Sequence, residues 1–159
     1  MIVLTDFILR AVVAALLGLL IGLEREVKAK PLGVRAYMLV SLGSAGMMMV
    51  TMNFSLGTIA SDPNVSIDPS RLIQGLVGGI GFLGAGAIIS NSSDGRLRGV
   101  ASGAAIWGVG GIGIACGLGY IAEAVILSVL TFVILTASDL LQKKGTLPDG
   151  ADERENDSE

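Results

Sequence analysis

The sequence contains no histidine, one cysteine (Cys116) and one tryptophan (Trp107), and only 16% of its 159 residues are charged. Each shortage removes a class of function. Without histidine, the usual proton shuttle and the usual transition-metal ligand are missing. A single cysteine allows no intrachain disulfide and no cysteine-based zinc site. No nucleophile–base constellation can be assembled from what remains, so an enzyme is not expected. Aromatic residues make up 4% of the chain. There is no basic groove with interleaved aromatics, so nucleic acid is not an expected partner. Met1 to Arg10 lacks the positive n-region of a cleaved signal peptide.

What the chain does have is apolar length. It is 52% hydrophobic with a mean hydropathy of +0.72. A soluble domain would need roughly a quarter of its residues charged, and the stretch between residues 36 and 142 has nothing of the kind. A transmembrane helix needs about 20 mostly apolar residues. Five such runs are expected, at about 7–23, 36–56, 72–90, 100–118 and 121–141. The alternation of a β-barrel is absent. The expected fold is therefore all-α: a polytopic membrane protein with five transmembrane helices over residues 1–142. A disordered acidic tail is expected over 143–159. Six acids and one arginine lie between Asp149 and Glu159, a composition that does not fold. The expected partner of the apolar surface is the lipid bilayer.

Charge sets the expected orientation. Four Lys or Arg residues lie in the 24–35 loop, two in the 91–99 loop and two just after the fifth span, against only Arg10 and Arg71 on the other side. By the positive-inside rule the N-terminus is outside and the C-terminus cytoplasmic.

Fifteen of the 23 glycines fall between Gly75 and Gly119. Gly75, Gly78, Gly81 and Gly84 recur every third residue, with Gly79 and Gly86 among them. In water each would cost about 1 kcal/mol relative to alanine in a helix. In lipid, small residues let helices approach closely. These six glycines are therefore expected to form the tight helix–helix centre, with the third span close against the first and fourth. Gly79–Gly84 also spells G-x-G-x-x-G. The preceding strand and the acidic residue about 20 positions on are missing, so it does not read as a dinucleotide site. Ala14, Gly18 and Gly22 give the first span a second small face, and Asp6 and Arg10 are spaced to pair on one helix face.

Gly18-Leu19-Leu20-Ile21-Gly22-Leu23-Glu24-Arg25-Glu26, Lys30-Pro31-Leu32-Gly33-Val34-Arg35 and Leu39-Val40-Ser41-Leu42-Gly43-Ser44 resemble the MgtC/SapB family of bacterial membrane proteins. Asp68-Pro69-Ser70-Arg71 leading into Gly79–Gly86, then Arg98-Gly99, Trp107 and Gly113–Gly117, continue the resemblance, which covers residues 7 to about 140. It implies a five-span, multi-pass protein of the bacterial inner membrane with a periplasmic N-terminus. It also implies a link to magnesium limitation and virulence, and a regulator rather than a pump. Inhibition of the F-type ATP synthase is implied as one such effect. Long family members carry a soluble ACT-like domain. This chain ends in its acidic tail, so the short form is expected. Where the family has Asn or Thr followed by Thr, a position tied to the ATP synthase effect, this chain has Ala101-Ser102.

The candidate binding residues are Glu24, Arg25, Glu26, Arg35 and Arg98, expected to converge on the cytoplasmic face. Asp68 and Arg71 are candidates at the other end. Glu24 and Glu26 are oxygen ligands of the kind Mg²⁺ accepts; otherwise no cofactor is expected. The plainer reading of the first group is a charged flank that sets orientation. That of the second is a helix start, with Asp68 as N-cap, Pro69 at the first helical position and an ion pair to Arg71. Met47–Met49 read as adaptable packing, and Cys116 as a small buried hydrophobe. No ionisable residue falls mid-membrane in the later spans, which weakens transport. The expected function is a non-enzymatic membrane regulator or accessory protein acting through helix contacts, as a homo-oligomer with a dimer favoured. A Mg²⁺ transporter or channel is the alternative.

Overall fold

The computed structural model describes residues 1–30, 32–62, 64, 67–90 and 97–143; at 89, 90, 97, 98 and 138–143 it describes the backbone alone. The expected acidic tail from residue 144 onward, and Arg96, lie outside the described residues. Five helices follow one another: α1 (Leu4–Val27), α2 (Val34–Ser61), α3 (Ser70–Gly86), α4 (Val100–Leu118) and α5 (Ile121–Lys143). Between α3 and α4 lies a small antiparallel ladder, β1 (Ile89–Ser90) with β2 (Leu97–Arg98), pairing Ile89 with Arg98 and Ser90 with Leu97. The third helix thus ends earlier than the apolar run suggests. The β-branched pair Ile88-Ile89 favours extended chain, and the segment turns back on itself instead of completing the helix.

Helix lengths sort the elements. Among the described residues, α1, α2 and α4 are long and apolar enough to cross a membrane. At 28 residues, α2 extends about 42 Å, more than a bilayer core of about 30 Å, and its last turns run into the polar loop. With 17 residues, α3 reaches only about 26 Å.

Helix ends follow local rules. Beyond α4, Gly119 adopts φ +92°. The amide of Tyr120 donates to the carbonyl of Ala115, and that of Gly119 to Cys116. This double closure is a Schellman ending, and its left-handed residue suits glycine. The same pattern closes α1, where Lys30 donates to Arg25 and Ala29 to Glu26, with Ala29 left-handed at φ 49°.

The hub is α4, which packs against each of the other four helices, whereas α3 packs chiefly on α4 and lightly on α2. Ile106, Val109, Ile112 and Cys116 of α4 are buried with Ala14 and Ile21 of α1 and Tyr37, Ala45 and Met49 of α2. The close approaches are made by glycine. A Cβ on Gly18 would lie 2.7 Å from the Tyr37 carbonyl oxygen, and one on Gly22 2.9 Å from Val34 Cα. On α4, Gly117 faces the Ala45 carbonyl at 2.7 Å, and Gly113 sits directly against the Ser41 carbonyl.

This corrects the expected packing centre. Of Gly75, Gly78, Gly79, Gly81, Gly84 and Gly86, only Gly84 is in tight contact, with its would-be Cβ 2.8 Å from the Gly103 carbonyl oxygen. The other five meet nothing within 4 Å. The physical reason is which way α3 is turned. Its Ile80 and Gly84 are buried, and Ile80 fills the notch at Gly110. Gly75, Gly78, Gly79 and Gly86 are exposed, and Gly81 is half-buried.

Candidate functional site

The C-terminal end of α1 carries the site. Ala14, Gly18, Ile21, Gly22 and Arg25 are all buried. They recur at i, i+4, i+7, i+8 and i+11, one face of a helix, so the stripe that packs α1 into the bundle delivers Arg25 into it as well. Arg25 is 1% exposed and Glu24 8%. The Arg25 guanidinium donates through Nη2 to Ser102 Oγ at 3.1 Å. Its Nη1 lies 3.7 Å from Glu24 Oε2. The other Glu24 oxygen is 2.5 Å from Lys28 Nζ, one turn on. Tyr37, at the start of α2, donates its hydroxyl to the Ser102 carbonyl at 3.4 Å. Among the described residues Arg25 Nε has no hydrogen-bond partner. One end of the bundle thus gathers α1, α2 and the first turn of α4 around a buried charged group. Buried charges persist in proteins when paired, and this one is paired with Glu24.

The other candidates separate. Glu26 is exposed, and its Oε2 accepts the amide of Val34 at 2.6 Å. That carboxylate therefore closes the N-terminus of α2, where negative charge is favourable. Arg35 is exposed on the first turn of α2. Arg98 is placed by its backbone in β2, opposite Ile89. Among the described residues no group of three or more Asp, Glu, His or Cys side chains could hold a metal.

At the opposite end, Asp6 and Arg10 pair at 2.6 Å, as their spacing predicts. Arg10 also donates to the Gly117 carbonyl at 3.1 Å, placing a cation at the negative end of α4. The amide of Ile2 donates to Asn53 Oδ1 at 2.6 Å, tying the start of the chain to α2. α3 begins at Ser70 with Pro69 in the cap position, one residue later than expected, and Asp68 still meets the start of the helix by accepting the amide of Ser70 at 2.9 Å. Hydrogen bonding from the Ser70 side chain, then its backbone, holds the Asp68 carboxyl below its ordinary value. Arg71 adds to this through its field, without a direct ion pair. Cys116, Met48 and Met49 are fully buried, while Met47 is exposed.

Tyr37 and Ser102 did not stand out in the sequence as site residues. The available signal was the spacing of Arg25 behind Ala14, Gly18 and Gly22, which demanded polar partners on the helices facing that stripe.

A helical bundle with membrane-length apolar helices and a clamped charge cluster at one end defines a class, the small helical membrane protein. Residues 11–144 match the MgtC family, and the chain belongs to that family. It is 36% identical over 137 residues to MgtC of Salmonella typhimurium (strain LT2), covering 86% of this chain and 53% of that protein. It is 35% identical over 135 residues to SapB of Bacillus subtilis (strain 168), covering 85% and 56%. It is 33% identical over 130 residues to YhiD of Escherichia coli (strain K12), provisionally named a magnesium transporter, covering 82% and 59%. The chain spans a little over half the length of these curated relatives. No solved structure matches it.

Proposed function

We propose that this chain is a non-catalytic, five-span regulator or accessory protein of the bacterial inner membrane, linked to magnesium limitation, that works through helix–helix contacts. Its N-terminus lies outside and its C-terminus in the cytoplasm. The observation that carries this reading is the outward face of α3. Gln74, Gly78, Gly81 and Ala85 are spaced i, i+4, i+7 and i+11, with Arg71 and Gly75 beside them, and no aliphatic side chain stands on that line. Val77 and Phe82, both exposed, flank this line, so lipid-facing apolar side chains border a strip of small and polar ones. Faces of small residues with a hydrogen-bonding side chain are what transmembrane helices use to meet one another.

The favoured occupant is a second copy. Two copies share one orientation in the membrane, which sets Arg71 of each at the depth of Asp68 of the other, and Arg71 has no ion pair among the described residues of its own chain. Another membrane protein such as the F-type ATP synthase is the other candidate partner. The test is the oligomeric state in lipid nanodiscs. Wild type is expected as a dimer and Gly78→Leu as a monomer of unchanged helix content. A wild type that is monomeric and retains no membrane partner removes the support.

The name of the Escherichia coli relative favours a second reading, a Mg²⁺ transporter or channel. Glu24 and Glu26 are its candidate ligands, and Glu26 already closes α2. Proteoliposome Mg²⁺ flux by the wild type would favour it, and flux that is absent, or unchanged when Glu24 and Glu26 are replaced, counts against it.

A further inference from the structure

The end of the bundle where α1 meets α2 has more cations than carboxylates to match them. Glu24 and Glu26 stand there against Arg25, Lys28, Lys30 and Arg35. Both carboxylates are already engaged. Glu24 is shared between Arg25 and Lys28, and Glu26 accepts the amide of Val34. Lys30 is half-buried and Arg35 exposed, and neither has an ion pair among the described residues. The fifth helix packs on α1. It starts beside the Arg10 end and finishes at Lys143, so the chain leaves the bundle at the basic end.

Beyond that point the sequence supplies the opposite sign. The last eleven residues hold six acids, Asp149, Asp152, Glu153, Glu155, Asp157 and Glu159, against Arg154. The chain is net −3 with these eleven residues and net +2 without them. Asp149 lies six residues beyond Lys143 and Glu159 sixteen, spans of at most about 20 and 55 Å. Packed helix axes are only about 10 Å apart, so the cations of this end are within reach.

We propose that residues 149–159 dock on the basic end of their own bundle, against Lys30 and Arg35. Tethering holds the acids beside these cations at an effective concentration on the order of millimolar. Anionic phospholipid headgroups compete for the same cations, but they repel the acids, which leaves the basic end as the surface that attracts them. The docked segment covers that end and keeps other anionic partners off it. The contact is independent of the α3 face.

Zero-length carbodiimide coupling of the full chain in phosphatidylcholine nanodiscs tests this, because it joins a carboxylate to an amine only where the two touch. Peptide mass spectrometry is expected to find Lys30 joined to one of the six acids. Arg35→Glu leaves Lys30 and all six acids in place and reverses one charge of the surface. It is expected to lower the yield about fivefold, the scale of an exposed ion pair. Raising KCl to about 0.5 M should lower it likewise by screening. Mixing isotopically light and heavy chains separates products within one chain from those between copies. The proposal is overturned if Lys30 gives no such product, or if neither Arg35→Glu nor salt lowers the yield. It is also overturned if the product joins only different copies, or if phosphatidylglycerol nanodiscs abolish it, which assigns the basic end to lipid. A same-chain product is read whether the chain is monomer or dimer, so failure here and failure of the regulator reading are told apart.

Discussion

Single atoms decide the outcome at several glycines. Gly113 has the Ser41 carbonyl where its Cβ would be, whereas Gly111, two residues earlier, meets nothing within 4 Å. Gly113→Ala is expected to destabilise the fold by about 1–3 kcal/mol through overpacking. Gly111→Ala should be neutral or stabilising by up to about 1 kcal/mol through helix propensity. Unfolding in mixed micelles by SDS titration distinguishes them, and equal effects would contradict the assigned contacts. Asp68 gives a pH-dependent counterpart. Its carboxyl is held below its ordinary value in the folded chain, so its contribution is present above the unfolded value of about 4. That contribution is lost as pH falls through the folded value. The stability gap between wild type and Asp68→Ala should therefore narrow on acidification, as followed by helix content during thermal melts at stepped pH.

Among the elements, α4 carries the fold and α1 carries the charge into it. The burial of Glu24 beside two cations makes its removal costly, because Arg25 would remain buried without its counter-charge. Glu24→Gln is expected to cost about 3–5 kcal/mol. Lys28→Ala, at a partly exposed pair, should cost less than about 1 kcal/mol. The same SDS titration checks the ordering, and a reversed order would show that Lys28, rather than Arg25, anchors the carboxylate.

The elements were legible in the sequence because apolar runs of membrane length are separated by charge, Pro and Gly. The Asp6–Arg10 pair and the meeting of Asp68 with the start of α3 were legible because both are local. The packing of α3 was not. Spacing identifies a small-residue stripe, but it does not say whether protein or lipid lies opposite, and on α3 the burial of Ile80 turned the glycines outward. The site was half legible. The charge cluster was visible as a string of residues, but its division was tertiary: Arg25 is buried against Ser102, while Glu26 closes α2.

At the scale of the whole molecule, alternating helix directions place the Glu24–Lys28 end together with the starts of α2 and α4, and the Asp6–Arg10 end together with Gly117 and Gly119. Cysteines introduced at exposed positions read the topology directly. With buried Cys116 as a silent background, Ser70→Cys should react with an impermeant maleimide added to intact cells. Val27→Cys should react only after permeabilisation. The converse pattern would invert the orientation.

The central claim is that the open face of α3 meets another helix in the membrane. Single cysteines in native membranes test it most directly, with Gly78→Cys on that face and Leu130→Cys on the exposed side of α5. Oxidation should yield a covalent dimer of the chain from Gly78→Cys and little from Leu130→Cys. Equal yields at both positions, or none at Gly78→Cys, would contradict the account.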